Sequence, residues 1–289
     1  MGRKRGPRIP RPIRAWTARK VEHLDAYLQA YVVATKAWGE RYYIDGFAGC
    51  GDCVLMETGL PVAGSPWRAL GANPAFTHYY FVEKEAPLAA HLRQRIGERR
   101  DVDVFTGDCN VVIPQQVLPK LSRRAPSFAF LDPSGIQLDW DTIRALAGHR
   151  LGHQKMELLI LYPYDIAIAR QLPIQRLRAT LTSFFGDDHW QMEYQASLQM
   201  NESADQRRQR FTQLYVANLR GLGYQYVVPY GPLMDRHTPK YSVIFTSDND
   251  VGLKIMQDVW SKPRDIPDDM FYRPIRRPKG GPSTTWSPP

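Results

Sequence analysis

Three cysteines in 289 residues are too few for a disulfide scaffold and fit a reducing compartment. Long hydrophobic runs are also missing, and none reaches the roughly 18 residues that a membrane-spanning helix needs. No apolar segment follows the basic stretch Met1-Gly2-Arg3-Lys4-Arg5-Gly6-Pro7, so no secretory signal is expected and the expected location is cytoplasmic. Acids are absent from residues 1–20, which carry eight Arg and Lys. Residues 262–289 hold six Arg and Lys against three Asp. The net charge of +9 therefore sits at the two ends, and residues 21–261 are left slightly acidic, at −2. Arg- and Pro-rich ends bury little and read as tails at 1–15 and 263–289. Such tails suit a polyanion, because each phosphate neutralised releases counterions. They serve solubility equally well, and they do not imply a nucleic-acid-binding face on the folded body.

At 43% apolar, the chain can bury the core of one large α/β domain with an insertion, or of two small domains. From Trp16 to Trp38, Val21, Leu24, Leu28, Tyr31, Val32 and Trp38 recur at helical spacing, with Thr17 as a candidate N-cap. Short strand-like runs follow at Tyr42–Ile44, Tyr79–Val82, Val102–Phe105, Phe128–Leu131 and Leu158–Leu161. Helical stretches at Ser65–Gly71, Ala86–Arg99 and Asp139–Ala147 separate them, which predicts a parallel sheet covered on both faces. Residues 16–165 form this Rossmann-like core. Residues 166–222 read as a helical insertion, with Leu172–Phe185 and Ser203–Leu222 as its best helices. Residues 223–262 add two strands, Tyr224–Val228 and Tyr241–Phe245, around a turn-rich Pro229–Lys240, and a last helix.

The strand ends carry the chemistry. Ligands of open α/β sheets sit beyond the carboxyl ends of the strands, and there the runs meet Asp45, Glu83, Asp108 and Asp132. Carboxylates are poor strand residues and repel one another, so a ligand that uses them is the natural explanation. Asp45-Gly46-Phe47-Ala48-Gly49-Cys50-Gly51 resembles the first motif of class I methyltransferases, whose glycine loop passes under S-adenosylmethionine (SAM). Glu83 could accept hydrogen bonds from both ribose hydroxyls. The 38 residues from Asp45 to Glu83 exceed the usual spacing, so a loop at Asp52–Gly64 is expected, with Ser65 as N-cap and Pro66 opening a helix. Asp108, followed by Cys109, stands where such enzymes hold the adenine amino group, and it also suits a helix cap. Asp132-Pro133-Ser134-Gly135 resembles in part the Asp-Pro-Pro-Tyr motif that orients an amine acceptor. It reads equally well as a turn.

Other features have plainer readings beside the functional ones. Cys50-Gly51-Asp52-Cys53 with Cys109 lacks an obvious fourth ligand for zinc, so thiols lining a pocket are expected and no metal is assigned. His237 could be a general base or a surface-loop histidine. Tyr162 and Tyr164 could stack on a planar base or cap the core. Arg19 and Lys20 could close over a cofactor carboxylate, although a solvated face is the simpler reading.

The chain is further similar to the three-Cys-motif partner protein family. The resemblance rests on Thr17-Ala18-Arg19-Lys20, Tyr43 to Gly49, Gly64-Ser65-Pro66, Gly107-Asp108-Cys109-Asn110, Phe130-Leu131-Asp132-Pro133, Leu138-Asp139-Trp140, Phe184-Phe185-Gly186 and Tyr241 to Phe245. It implies a SAM-methyltransferase-like fold and association with a three-Cys-motif protein of radical-SAM type. Cys50 and Ser134 depart from the family pattern. The expected function is methyl transfer to a nitrogen of a nucleobase, free or in nucleic acid. Cofactor contacts are expected from Asp45, Gly46, Phe47, Ala48, Gly49, Gly51, Glu83, Asp108 and Cys109. Asp132 and Pro133 are the expected catalytic pair, with Ser134, Tyr162 and Tyr164 on the substrate side. A small-molecule methyltransferase and a non-catalytic docking partner are the alternatives.

Overall fold

The computed structural model describes residues 7–262, so the tail expectations for 1–6 and 263–289 lie outside the described residues. Its main sheet has seven strands: β2 (Tyr42–Asp45), β5 (His78–Glu83), β6 (Val102–Thr106), β7 (Ser127–Leu131), β8 (Glu157–Tyr162), β9 (Tyr226–Asp235) and β10 (Thr238–Ser247). Their order is β6-β5-β2-β7-β8-β10-β9. The first five are parallel, while β10 runs antiparallel to both β8 and β9. The chain is thus a mixed α/β, Rossmann-like fold.

The central strands are buried on both faces, as their near-continuous apolar sequences require. Alternation within a strand divides the core. Tyr42 and Ile44 join one apolar cluster, and Tyr43 joins the other. Helices α1 (Ala15–Ala34), α2 (Ser65–Leu70), α3 (Ala86–Ile96) and Asp250–Ser261 cover the Tyr43 face. The opposite face packs against α4 (Cys109–Val112), α5 (Trp140–His149) and the helical stretch from Tyr164 to Gly221. Ser203 opens the longest helix of that stretch with a capping box, exchanging bonds with Gln206. None of the described helices is long and apolar enough to cross a membrane.

Several expectations are corrected. Arg11–Ile13, placed in a tail by composition, forms strand β1. The expected loop at 52–64 contains β3 (Asp52–Leu55) and β4 (Pro61–Ala63), which complete a three-stranded sheet with β1. Strands of three or four residues held by backbone pairing leave no periodicity to read. The turn-rich 229–240 is mostly hairpin, because bulges absorb its irregular residues and only Arg236 and His237 make the turn. The N-caps are Arg14 rather than Thr17, and Gly64 rather than Ser65. Ser65 instead turns its hydroxyl to Asp45.

Candidate functional site

In the main sheet the chain passes from β2 to β5 on one side, while β7 lies on the other, so the strand order reverses between β2 and β7. Such a switch point opens a crevice at the carboxyl ends of its strands. The loop Gly46–Gly51 fills its floor. Gly46 N–H donates to the Phe130 carbonyl (3.0 Å), and Ala48 N–H donates to that of Val82 (2.9 Å), so the loop spans both flanking strands. Gly51 has φ +77°, and its carbonyl accepts from Gly64 N–H at 2.8 Å. A Cβ on Gly64 would lie 2.7 Å from that oxygen, so glycine is required there.

Asp45 lies under this loop rather than in the cleft. It is fully buried and accepts from Phe47 N–H at 3.1 Å. Burial pushes its carboxyl up to about 7 against the hydrogen bonds from Ser65 and Phe47, and the charges of Asp132 and Glu83 add to the rise. Asp45, expected as a cofactor contact, borders neither cavity of the cleft and shapes the loop that lines it.

Glu83, also buried, bridges two loops. Oε2 accepts from Gly49 N–H (2.8 Å) and Oε1 from Glu85 N–H (2.7 Å). Each oxygen keeps a further lone pair. Asp108 caps α4 through Asn110 N–H (3.0 Å) and pairs with the exposed Lys84 ammonium (2.8 Å). Partial burial would raise its pKa, but these two bonds outweigh it and hold the carboxyl below the usual range. Cap and cleft lining are thus combined in one residue.

Asp132 closes the other flank, and its carboxylate is bound by the Lys20 ammonium of α1. The lysine is not solvated as expected. Its side chain is only 9% exposed, and its nitrogen lies 5.5 Å from the centre of the Tyr241 ring. Ser134 gives both its N–H and its hydroxyl to Gln137 Oε1, at 3.2 and 3.1 Å.

Two adjoining cavities result. One, of about 460 Å³, is lined by Gly46, Phe47, Glu83, Asp108 and Cys109. The other, of about 310 Å³, is lined by Ala48, Gly49, Gly51, Lys20 and Tyr241. Asp132, Ser134, Phe47 and Arg11 border both. Pro133 borders neither. Tyr162 and Tyr164, read from sequence as either a stacking rim or a cap on the core, are buried core residues, the former donating to the Phe211 carbonyl at 3.0 Å. The helices after β8 cover that end of the strand. His237 is exposed at the hairpin turn and borders neither cavity.

Burial pushes the Cys53 and Cys109 thiols up to about 12, so they remain neutral. Among the described residues, no group of three or more His, Cys, Asp or Glu is arranged to hold a metal ion. Sequence reasoning missed Lys84, Gln137 and Arg11 as cleft residues. For Lys20 a signal existed, because it ends the Thr17-Ala18-Arg19-Lys20 stretch of the family resemblance.

No protein-family description matches the chain, and no curated protein matches it in sequence. Solved structures do resemble it. A Legionella pneumophila protein of the DUF519 family superposes with a TM-score of 0.53 at 13% identity, over 85% of this chain and 90% of that one. This supports the fold. Spermidine synthase from Thermotoga maritima gives a TM-score of 0.45 at 10% identity, over 90% and 72% of the respective chains. Aeropyrum pernix fibrillarin, solved with natively bound SAM, gives 0.40 at 11% identity, over 80% and 76%.

Proposed function

We propose that the chain is a cytoplasmic, SAM-dependent methyltransferase whose acceptor is a nitrogen of a nucleobase, free or in nucleic acid. The observation that carries this reading is the switch-point cleft. There Gly46 and Phe47 of the glycine loop and two carboxylates, at the ends of adjacent strands β5 and β6, border one cavity, and the rest of the loop lines the cavity beside it. Its volume, about 460 Å³, lies in the range of small-molecule sites. The donor set suits the cofactor: Glu83 offers free lone pairs to ribose hydroxyls, Asp108 an acceptor to the adenine amine, and the loop its backbone to the amino-acid end. When bound, SAM supplies an electrophilic methyl group on a sulfonium sulfur. The protein's part is alignment and exclusion of water. Asp132, on the border of the two cavities, would orient an amine acceptor by accepting its N–H. Arg11 on the shared wall and Arg14 on the smaller cavity favour an acceptor that carries phosphate.

A second reading is a non-catalytic partner of a three-Cys-motif protein, and the Lys20 contact that occupies Asp132 favours it. Calorimetric titration with SAM and S-adenosylhomocysteine separates the readings, using wild type alongside Asp108→Ala and Glu83→Ala. Binding by wild type that weakens in both variants supports the cofactor site. An acceptor screen with RNA, nucleobases and small amines at two salt concentrations then tests the acceptor. Absence of cofactor binding by folded wild type would sink the methyltransferase reading.

A further inference from the structure

The residue that would hold an acceptor amine already holds one. Lys20 Nζ lies on Asp132 Oδ2, with the carboxylate 18% exposed and the lysine 9%. The Tyr241 ring flanks the nitrogen at 5.5 Å. An aromatic face beside an ammonium stabilises methylated as well as unmethylated amines, because the attraction acts on the charge rather than on its N–H bonds. Asp132 also borders the cavity that carries Glu83 and Asp108. The amine lines the smaller cavity beside Ala48, Gly49 and Gly51 of the glycine loop, on a carboxylate that borders both cavities.

Resting on the methyltransferase reading above, we propose that Lys20 is itself a methyl acceptor, so that the protein methylates its own chain at this position. The step balances without a further reagent. An Nζ proton passes to Asp132, and the freed nitrogen lone pair forms a bond to the SAM methyl carbon as its carbon–sulfur bond breaks. The sulfur keeps that electron pair and leaves as the neutral thioether S-adenosylhomocysteine. Asp132 then loses its proton to water, to which it is partly open. Monomethylation keeps the positive charge and removes one N–H, so the product can still pair with Asp132.

Two measurements test this. The first needs no cofactor. Competitive labelling of purified protein with acetic anhydride should modify Lys20 at least tenfold more slowly than the exposed Lys36, and the Asp132→Asn variant should speed Lys20 labelling several-fold. Labelling of Lys20 at the rate of Lys36 would show that the contact is not held and overturn the proposal. The second incubates the full chain with SAM and maps peptides by mass spectrometry, with binding followed by calorimetry on the same sample. A mass gain of one CH2 on the Lys20 peptide, absent from Asp132→Asn and from Lys20→Arg, is the expected result. Cofactor binding with an unmodified Lys20 overturns automethylation and leaves the methyltransferase reading standing. Absence of binding overturns both.

Discussion

The two flanks of the switch point are built in different ways. On the β5–β6 side, Glu83 and Asp108 are each fixed by backbone N–H groups from residues no more than 34 positions away. Their remaining lone pairs face the cleft, so this flank meets a ligand already organised. On the β7–β8 side, Asp132 is completed by Lys20 from 112 residues away, and Tyr162 and Tyr164 are sealed under the helices that follow β8. A ligand there must displace a side chain of the protein. Preorganised groups lose little entropy on binding, whereas an occupied group must first be freed. Under the proposed function, cofactor affinity would belong to the first flank and acceptor selection to the second.

Asp45, between the flanks and raised by burial with smaller additions from the charges of Asp132 and Glu83, gives the largest expected effect. Its carboxyl titrates near pH 7 in the folded state and near 4 unfolded, so the folded chain holds the proton more tightly. Stability linked to Asp45 is complete below pH 4, falls as the pH rises to 7 and is constant above. Urea denaturation of wild type against Asp45→Asn should show the difference between them change by about 4 kcal/mol across that window. A pH-independent difference would mean that Asp45 is not buried as a proton-binding group.

Glu83→Ala comes next. It orphans two backbone N–H groups and removes a ligand acceptor, which together cost about 3 kcal/mol. Calorimetry should show SAM affinity reduced by about a hundredfold or more. The milder Asp108→Asn keeps a cap and loses a charge-assisted bond, for about tenfold weaker binding with a nearly unchanged Tm. Tyr162→Phe, on the other flank, should lower unfolding stability by about 1 kcal/mol through its lost bond to Phe211. It should leave cofactor affinity as in wild type. A binding defect in Tyr162→Phe would break the division between the flanks.

The same contrast explains what could be read in advance. All five parallel strands and the carboxylates at their ends were legible, because a buried strand announces itself as a short apolar run and its end as the residue that stops it. Glu83 and Asp108 owe their roles to that placement alone. The Lys20 contact was not legible, since nothing local to Asp132 or Lys20 encodes their meeting. The tyrosines of the fifth strand looked like a rim because the helices that bury them are separated from them in sequence. Strand β1 was hidden by its composition: Arg11-Pro12-Ile13 is held by backbone pairing with Cys53–Leu55, which takes no notice of side-chain pattern.

That short strand also bears on the order in which the molecule assembles. A parallel pair needs a long crossover, and here the crossover contains α1, β2 and the glycine loop. The small sheet therefore joins segments far apart in sequence, with the first strand of the main sheet between them. Its own apolar support is a small cluster of Ile13, Ala18, Leu55 and Val62, apart from the two large cores. Segments with so little buried surface open at lower cost than the body they lie on. The Arg11 wall of the cleft should be the last part of the chain to form and the first to come away, so ligand capacity ends at a milder denaturant concentration than the sheet itself.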